Sequence, residues 1–287
     1  MYNSINGSTK VLGIIGDPIE HSLSPEIHNT ICRELKQNYA YVPFKLPAKD
    51  IESAVNGFKA LGVTGFNVTI PHKKNIIQYL DEVSEEALLM GAVNTVKNVQ
   101  GKLYGYNTDG EGFIKSLKAH DVSVKNKNIV ILGAGGAARG ISVKIAMGGA
   151  KSITILNRTP EKAQEICDII NQNVADICKG ALLDINSLKA CAHSCDILIN
   201  TTPIGMHPHT AESPVENFSF LNSETVVCDL IYNPKKTLFL SNAEEKSCKI
   251  INGWGMLVCQ AVSAYEIWTG ININDNIIKK LHNMNKN

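Results

Sequence analysis

The sequence predicts an α/β protein of two domains. Strand-like apolar runs alternate with helix-like runs from end to end, the pattern of parallel sheets covered by helices. The chain has 287 residues, enough for about two hydrophobic cores. A glycine-rich turn, Gly133-Ala134-Gly135-Gly136, stands between a buried-type strand and a helix near the middle. Hydrophobic residues make up 44% and charged residues 19%, a globular profile. The net charge of +1 gives no global field toward nucleic acid or a membrane, so any anion must be bound by local groups.

The elements follow in order. Residues 11–15 read as an apolar strand that stops at Gly16-Asp17-Pro18, too short for a secretory signal or a membrane span. Residues 25–36 read as a helix with Ser24 as N-cap and Pro25 at its first position. Residues 39–44 form a strand, 49–61 a helix, 65–70 a strand and 83–90 a helix. Strands at 93–96 and 102–106 flank a hairpin-like turn at Gln100-Gly101. Thr108 with Glu111 fits a capping box for a helix to about 119. A second α/β block follows, with strands at 129–132, 152–156, 197–200 and 226–230 and helices at 137–147 and 160–171. A strand near 249–251 and two helices, 255–268 and 275–283, close the chain.

Gly133, Gly135 and Ala138 fit the dinucleotide fingerprint. The first glycine allows the tight turn, the second lets pyrophosphate reach the backbone, and the small third residue lets helix pack on strand. A NAD binder usually carries Asp or Glu at the end of the second strand, for the ribose hydroxyls. Here the residues are Asn157-Arg158-Thr159, with Lys162 one turn on. No carboxylate repels a 2′-phosphate, and Arg158 can hold one, so this segment reads as selecting NADP.

The first 110 residues carry polar motifs at element boundaries, where α/β proteins bind ligands. Ser22 and Ser24 place hydroxyls beside a helix start, a carboxylate site. Asn67, Thr69 and Lys73 follow a strand. Asn94 puts an amide in an apolar stretch, which costs stability unless it is paired. Asp109 places a carboxylate in a helix's first turn. Eight cysteines show no Cys-x-x-Cys pair; Cys191 and Cys195, with His193 between them, form the one cluster, and nothing completes a metal site. They read as reduced, mostly buried thiols in the cytosol.

The ordered set of motifs resembles the shikimate dehydrogenase family. It runs through His21-Ser22-Leu23-Ser24-Pro25, Asn67-Val68-Thr69-Ile70-Pro71-His72-Lys73, Gly91-Ala92-Val93-Asn94-Thr95, Asn107-Thr108-Asp109-Gly110, Gly133-Ala134-Gly135-Gly136-Ala137 and Asn157-Arg158-Thr159. It continues through Asn200-Thr201-Thr202-Pro203-Ile204-Gly205-Met206, Asp229-Leu230-Ile231-Tyr232-Asn233-Pro234 and Gly253-Trp254-Gly255-Met256-Leu257-Val258-Cys259-Gln260. Lys162, Thr202 and Trp254 depart from the residues common in that family, without removing a reacting group.

The resemblance implies a substrate domain built from both chain ends, residues 1–112 and 252–287, around a Rossmann-type NADP domain at 113–251, with the reaction in the cleft between them. It implies reversible NADPH-dependent reduction of 3-dehydroshikimate to shikimate, a step toward chorismate and the aromatic amino acids, in a cytoplasmic monomer or homodimer that acts on a small molecule. Ser22 and Ser24 are then expected to bind the substrate carboxylate. Thr69, Asn94, Asp109 and Gln260 are expected to hold ring hydroxyls, with Asn67 and Tyr232 nearby. Lys73 and Asp109 are the expected catalytic pair. Gly133, Ala134, Gly135, Gly136 and Ala137 are expected at the pyrophosphate, and Asn157, Arg158, Thr159 and Lys162 at the adenosine phosphate. Thr201, Met206 and Gly253 are expected on the nicotinamide side, with no metal. Free lysine is too basic to relay a proton near neutral pH, and a carboxylate neighbour makes it more so. Either burial offsets this, or the ammonium mainly stabilises a developing alkoxide. A quinate/shikimate dehydrogenase and a non-catalytic NADP or metabolite sensor are the alternative readings.

Overall fold

The computed structural model describes residues 5–192 and 194–284. In chain order its elements are β1 (Lys10–Gly16), α1 (Ser24–Glu34), β2 (Tyr39–Lys45), α2 (Ile51–Ala60), β3 (Gly65–Val68), β4 (Glu82–Val83), α3 (Glu85–Met90), β5 (Thr95–Val99) and β6 (Lys102–Tyr106). They continue with α4 (Asp109–Ala119), β7 (Asn128–Leu132), α5 (Gly136–Met147), β8 (Ser152–Asn157), α6 (Pro160–Asn173), β9 (Cys178–Leu182), α7 (Ile185–Ala192) and β10 (Ile197–Asn200). The last are β11 (Val226–Asp229), α8 (Leu238–Glu245), β12 (Lys249–Ile251), α9 (Trp254–Thr269) and α10 (Asp275–Asn283). Short 3-10 turns occupy Ala48–Asp50 and Asn75–Tyr79. The α/β class expected from the alternation is the one observed. Two compact units divide the chain: Met1–Thr108 with Val258–Asn287, and Asp109–Leu257.

The first unit is a six-stranded mixed sheet of order β2-β1-β3-β5-β6-β4. β1 pairs in parallel with β2 and β3, and β3, β5 and β6 pair antiparallel. Apolar residues of one face, among them Ile15, Phe66, Val68 and Val96, pack with Val55 and Phe58 of α2 into one core. A fully buried phenylalanine of this kind contributes about 1.5–3 kcal/mol by leaving water. The chain's return is fastened by Trp268 of α9: its indole N–H donates to the Val96 carbonyl (2.9 Å). Its ring lies against Gly65, where a Cβ would overlap it.

The second unit is an all-parallel sheet of order β12-β11-β10-β7-β8-β9. Read from β9, strands are laid outward from β7 in one direction and then from β10 in the other, the doubly wound order of dinucleotide-binding folds. Val130, Leu132, Leu156, Leu198 and Val227 pack against Phe239 and Leu240 of α8.

Several boundaries differ from those the sequence predicts. Ser24 is the first residue of α1 and not its cap; Leu23 stands at the cap with no side-chain bond. The Ser24 N–H instead donates to Ser22 Oγ (3.3 Å). β3 ends at Val68, two residues before the expected end at residue 70. Val83 pairs in β4, and α3 starts at Glu85 behind Ser84, whose hydroxyl accepts from the Ala87 N–H (3.3 Å). β5 begins at Thr95, beyond Val93 and Asn94. The Gln100-Gly101 hairpin forms, both residues with left-handed backbone. The capping box at Thr108 does not close: the Thr108 N–H goes to Asn94 Oδ1 (2.8 Å), while Glu111 pairs with Lys144 (3.0 Å) and Lys115 (3.8 Å). β9, α7 and α8 were not foreseen.

Candidate active site

In the second sheet, strand order reverses between β7 and β10, and open α/β sheets bind ligands beyond the carboxyl ends of strands at such a point. Gly133 follows β7 and Thr201 follows β10. Gly133 has φ +102°, and a Cβ there would stand 2.7 Å from Thr201 Oγ1, so only glycine makes this turn. Its N–H donates to the Leu156 carbonyl (2.8 Å), which ties the loop to the end of β8. Thr201 fixes the other wall by donating both its N–H (2.9 Å) and its hydroxyl (2.7 Å) to the Leu132 carbonyl.

Gly135 is the N-cap of α5 and makes no side-chain cap bond; Ala137 lies in the first turn behind it. A Cβ at Gly135 or Gly136 would meet nothing within 4 Å, so protein packing does not demand glycine there. What the two glycines leave is open room for an anion against the uncapped N–H groups of the first turn.

Asn157 ends β8, and its amide donates to the Thr159 carbonyl (2.9 Å), which curls the chain. Thr159 is the α6 N-cap in extended backbone, and its hydroxyl is not spent on the cap. Arg158, Thr159 and Lys162 are exposed. Among the described residues nothing pairs with the Arg158 guanidinium. Gly133 and Asn157 are thus brought to one edge of the sheet, with two cations and a hydroxyl that suit a phosphate ester.

Met206 is exposed, in the loop after β10. Gly253 follows β12, and its N–H donates to the Ile231 carbonyl (3.1 Å). A Cβ at Gly253 would overlap the Leu230 carbonyl, so this glycine answers a close backbone approach. The Tyr232 ring meets Trp254 edge-on, centroids 6.4 Å apart. Burial pushes the Tyr232 phenol up.

These loops hang on a polar cluster that the sequence reading left without a role. Asp229, 1% exposed, accepts from the Thr237 hydroxyl (2.7 Å), the Ile231 N–H (3.0 Å) and the Asn200 amide (3.1 Å). Asn200 Oδ1 in turn accepts from the Thr202 N–H (2.9 Å) and hydroxyl (2.7 Å). Burial pushes the Asp229 carboxyl up to about 6, against the pull of those three donors.

In the first unit the order reverses between β1 and β3. Ser22 and Ser24 follow β1; Thr69 and Lys73 follow β3. Cross-bonds join the two loops: Asp17 N–H to the Ile70 carbonyl (3.0 Å) and Thr69 N–H to the Ile15 carbonyl (3.0 Å). The Lys73 carbonyl accepts from the Val93 N–H (2.8 Å), which sets the lysine beside the Asn94 segment.

Asn67 faces Thr95 across the β3–β5 pair. Its amide donates to the Asn94 carbonyl (3.0 Å) and to Thr95 Oγ1 (3.1 Å). Asn94 Nδ2 donates to Thr108 Oγ1 (3.0 Å), and Asn94 Oδ1 accepts from Thr95 Oγ1 (2.9 Å). The cost of burying these amides is offset because they satisfy one another. Tyr41 was missed: its buried hydroxyl donates to Asn67 Oδ1 (2.7 Å) and so sets which way that amide faces. Its ring stacks on His28, centroids 4.3 Å apart. Gln260 is buried on α9. Asp109 and Tyr232, also expected at the substrate, belong to the second unit.

Among the described residues no group of three or more His, Cys, Asp or Glu could hold a metal ion, and His193 lies outside them. No described helix is long and apolar enough to cross a membrane.

Comparison with known proteins agrees with this architecture. Residues 14–96 match the family model "Shikimate dehydrogenase substrate binding domain", 116–235 match "Shikimate / quinate 5-dehydrogenase" and 253–281 match "Shikimate 5'-dehydrogenase C-terminal domain". The shikimate dehydrogenase (NADP(+)) of Alkaliphilus oremlandii is 47% identical over 96% of this chain and 97% of its own. A crystal structure of a shikimate dehydrogenase in complex with NADP+ is 43% identical, covers 97% of this chain and 96% of its own, and has a TM-score of 0.90. One from Listeria monocytogenes, in complex with shikimate and NAD, is 37% identical, with a TM-score of 0.93 over 98% of this chain and 99% of its own. The chain belongs to the shikimate dehydrogenase family.

Proposed function

We propose that this protein catalyses the reversible NADPH-dependent reduction of 3-dehydroshikimate to shikimate. The observation that carries the reading is the buried network of Asn67, Asn94, Thr95 and Thr108. It is a neutral array of amides and hydroxyls, suited to a polyhydroxylated ring, and it adjoins the lysine-bearing loop after β3.

The residues of the second unit fit NADP: an uncapped helix start behind open glycines, and exposed Arg158, Thr159 and Lys162 beyond Asn157. The chemistry NADPH supplies when bound is hydride transfer to the carbonyl carbon. Gly133, Ala134, Gly135, Gly136 and Ala137 hold the pyrophosphate, and the Asn157–Lys162 segment holds the 2′-phosphate. Thr201, Met206 and Gly253 line the nicotinamide side.

Ser22 and Ser24 bind the substrate carboxylate. Thr69, Asn94 and Gln260 hold ring hydroxyls, with Asn67 and Tyr232 close by. Reduction leaves negative charge on the carbonyl oxygen. Lys73 meets that charge with its ammonium and supplies the proton in the reductive direction. Asp109 orients Lys73 and accepts from a substrate hydroxyl. The enzyme works in the cytoplasm, where NADPH and reduced thiols are maintained, as a monomer or homodimer.

Initial rates with shikimate and with quinate, each with NADP and with NAD, test the proposal. Turnover of shikimate with NADP is expected to exceed the other three combinations. A faster rate with quinate moves the assignment to a quinate/shikimate dehydrogenase. Binding of shikimate and NADP without turnover makes the protein a sensor.

A further inference from the structure

Helix α6, beyond its first turn, and strand β9 hold two thiols against each other, and the proposed reaction uses neither thiol. Cys167 lies in the middle of α6 and Cys178 opens β9; their sulfurs are 2.6 Å apart. Both residues are buried, at 0% and 7% exposure. Two separate features enforce this approach. Gly180 has no side chain, and a Cβ there would stand 2.6 Å from the Gln164 nitrogen, so the helix backbone rests directly on the strand. Asn171 then clasps the strand's start: its Nδ2 donates to the Cys178 carbonyl (2.8 Å), and its Oδ1 accepts from the N–H groups of Cys178 (2.9 Å) and Ile177 (3.1 Å). Cys178 is further set by its place opposite Ile153 of β8. The two sulfurs are therefore positioned by backbone packing and main-chain bonds, and their meeting does not depend on a flexible loop.

We propose that Cys167 and Cys178 form a dithiol that closes to an intramolecular disulfide when the protein meets a hydroperoxide, and that thiol reductants reopen it. One thiol attacks the peroxide oxygen, the O–O bond breaks, and an alcohol or water leaves while that sulfur becomes a sulfenic acid. The second thiol attacks the oxidised sulfur, the S–S bond forms, and water leaves. The two thiols give up two electrons and two protons, and the peroxide takes up both. The neighbouring sulfur and burial push the Cys178 thiol up, which keeps it protonated, and its burial keeps bulky reagents away. Enforced proximity makes closure within the pair faster than capture by a free thiol.

The bridge joins α6 to β9, the edge strand, across a short loop. It removes freedom from the unfolded chain.

The test uses the native full-length protein, oxidised with hydrogen peroxide or, separately, with an azodicarboxamide, then alkylated, digested without reductant and mapped by mass spectrometry. The expected product is a peptide pair joined through Cys167 and Cys178, lost on treatment with dithiothreitol, in protein whose melting temperature has risen by a few degrees. Cys167→Ser and Cys178→Ser should each abolish that rise, and Cys191→Ser should keep it. Should a serine variant fail to fold, the peptide map of the unaltered protein decides by itself. Complete alkylation of Cys167 and Cys178 after oxidation overturns the proposal, and so does their conversion to separate sulfinic acids.

Discussion

The two units bury their polar groups with opposite chemistry. The first uses neutral groups: the amides of Asn67 and Asn94, the hydroxyls of Tyr41, Thr95 and Thr108, and the His28 imidazole stacked on Tyr41. The second centres on one carboxylate, Asp229, with Asn200 and Thr237 as donors. Burial acts on both titratable groups in the same physical way, by disfavouring charge. It holds the His28 imidazole down to about 3 and pushes the Asp229 carboxyl up to about 6. The difference separates two tasks. The neutral network satisfies its amides and hydroxyls internally and carries no field of its own. A carboxylate with three donors pins the loops after β10 and β11 in place.

Loss of the Lys73 ammonium puts that division of labour to its severest test. If the β3 loop carries the chemistry and the Gly133 loop carries the cofactor, Lys73→Ala lowers kcat by ~10²–10⁴-fold and leaves NADP affinity unchanged. Asp109→Asn is expected to be comparably severe, and the double variant far less impaired than the product of the two losses. Steady-state rates and a fluorescence titration with NADPH check this; a normal shikimate rate in Lys73→Ala removes the assignment.

The two groups respond to pH in opposite directions. His28 has a folded pKa below its unfolded value of 6.5, so the folded state binds fewer protons and stability is lost as pH falls from 6.5 toward 3. Asp229 has a folded pKa above 3.8, so its contribution is fully present below 3.8 and is lost as pH rises through 6. Each slope is roughly 1.4 kcal/mol per pH unit at most. Between pH 4 and 6 the two largely cancel. Relative to the unaltered protein, Asp229→Asn is then expected to lose stability on acidification over this range, and His28→Phe to gain it. Urea unfolding at several pH values reads both differences; parallel curves for all three proteins would remove the pairing.

A smaller effect concerns the second unit alone. Arg158→Ala is expected to weaken NADP by ~1.5–3 kcal/mol, the worth of a hydrogen bond to a charged group, with NAD affinity little changed. Equal losses for both cofactors would mean that Arg158 does not meet the 2′-phosphate.

The smallest concerns the first. Tyr41→Phe keeps the ring stacked on His28 and removes the hydroxyl that faces Asn67. A loss of about 1 kcal/mol is expected, seen mainly in KM for shikimate and not in KM for NADP. An unchanged KM would show that Asn67 keeps its orientation unaided.

How legible this was follows from the range of the interactions involved. Gly133 could be read because its signal is local, a strand, a turn and a helix within a few residues. The proposal for Arg158 rests on an equally local fact, the absence of a carboxylate at the end of β8. The Tyr41–Asn67 bond spans 26 residues and the Asn200–Asp229 bond 29, and no local pattern announces either. Ser24 was misplaced by one residue because Ser22 and Ser24 both offer a hydroxyl before Pro25, and the sequence does not say which one turns back. β9 escaped because Cys178-Lys179-Gly180 breaks the apolar run. For α8 a signal was present and unused: Thr237 ahead of Leu238-Phe239-Leu240 is an N-cap, and its hydroxyl does accept from the Leu240 N–H (3.3 Å).

The seating of Trp268 on Gly65, with its N–H on the Val96 carbonyl, has a consequence for how the chain is made. A ribosome releases residues 65 and 96 long before residue 268. The sheet of the first unit thus waits for residue 268 to cover one of its strands, while residues 109–257 form an unbroken stretch that can fold as soon as it emerges. The half made first is expected to finish last. Limited proteolysis of a chain stopped at residue 257 should cut within the first 108 residues and spare the stretch behind them; the reverse pattern would show that the N-terminal sheet closes without its tryptophan.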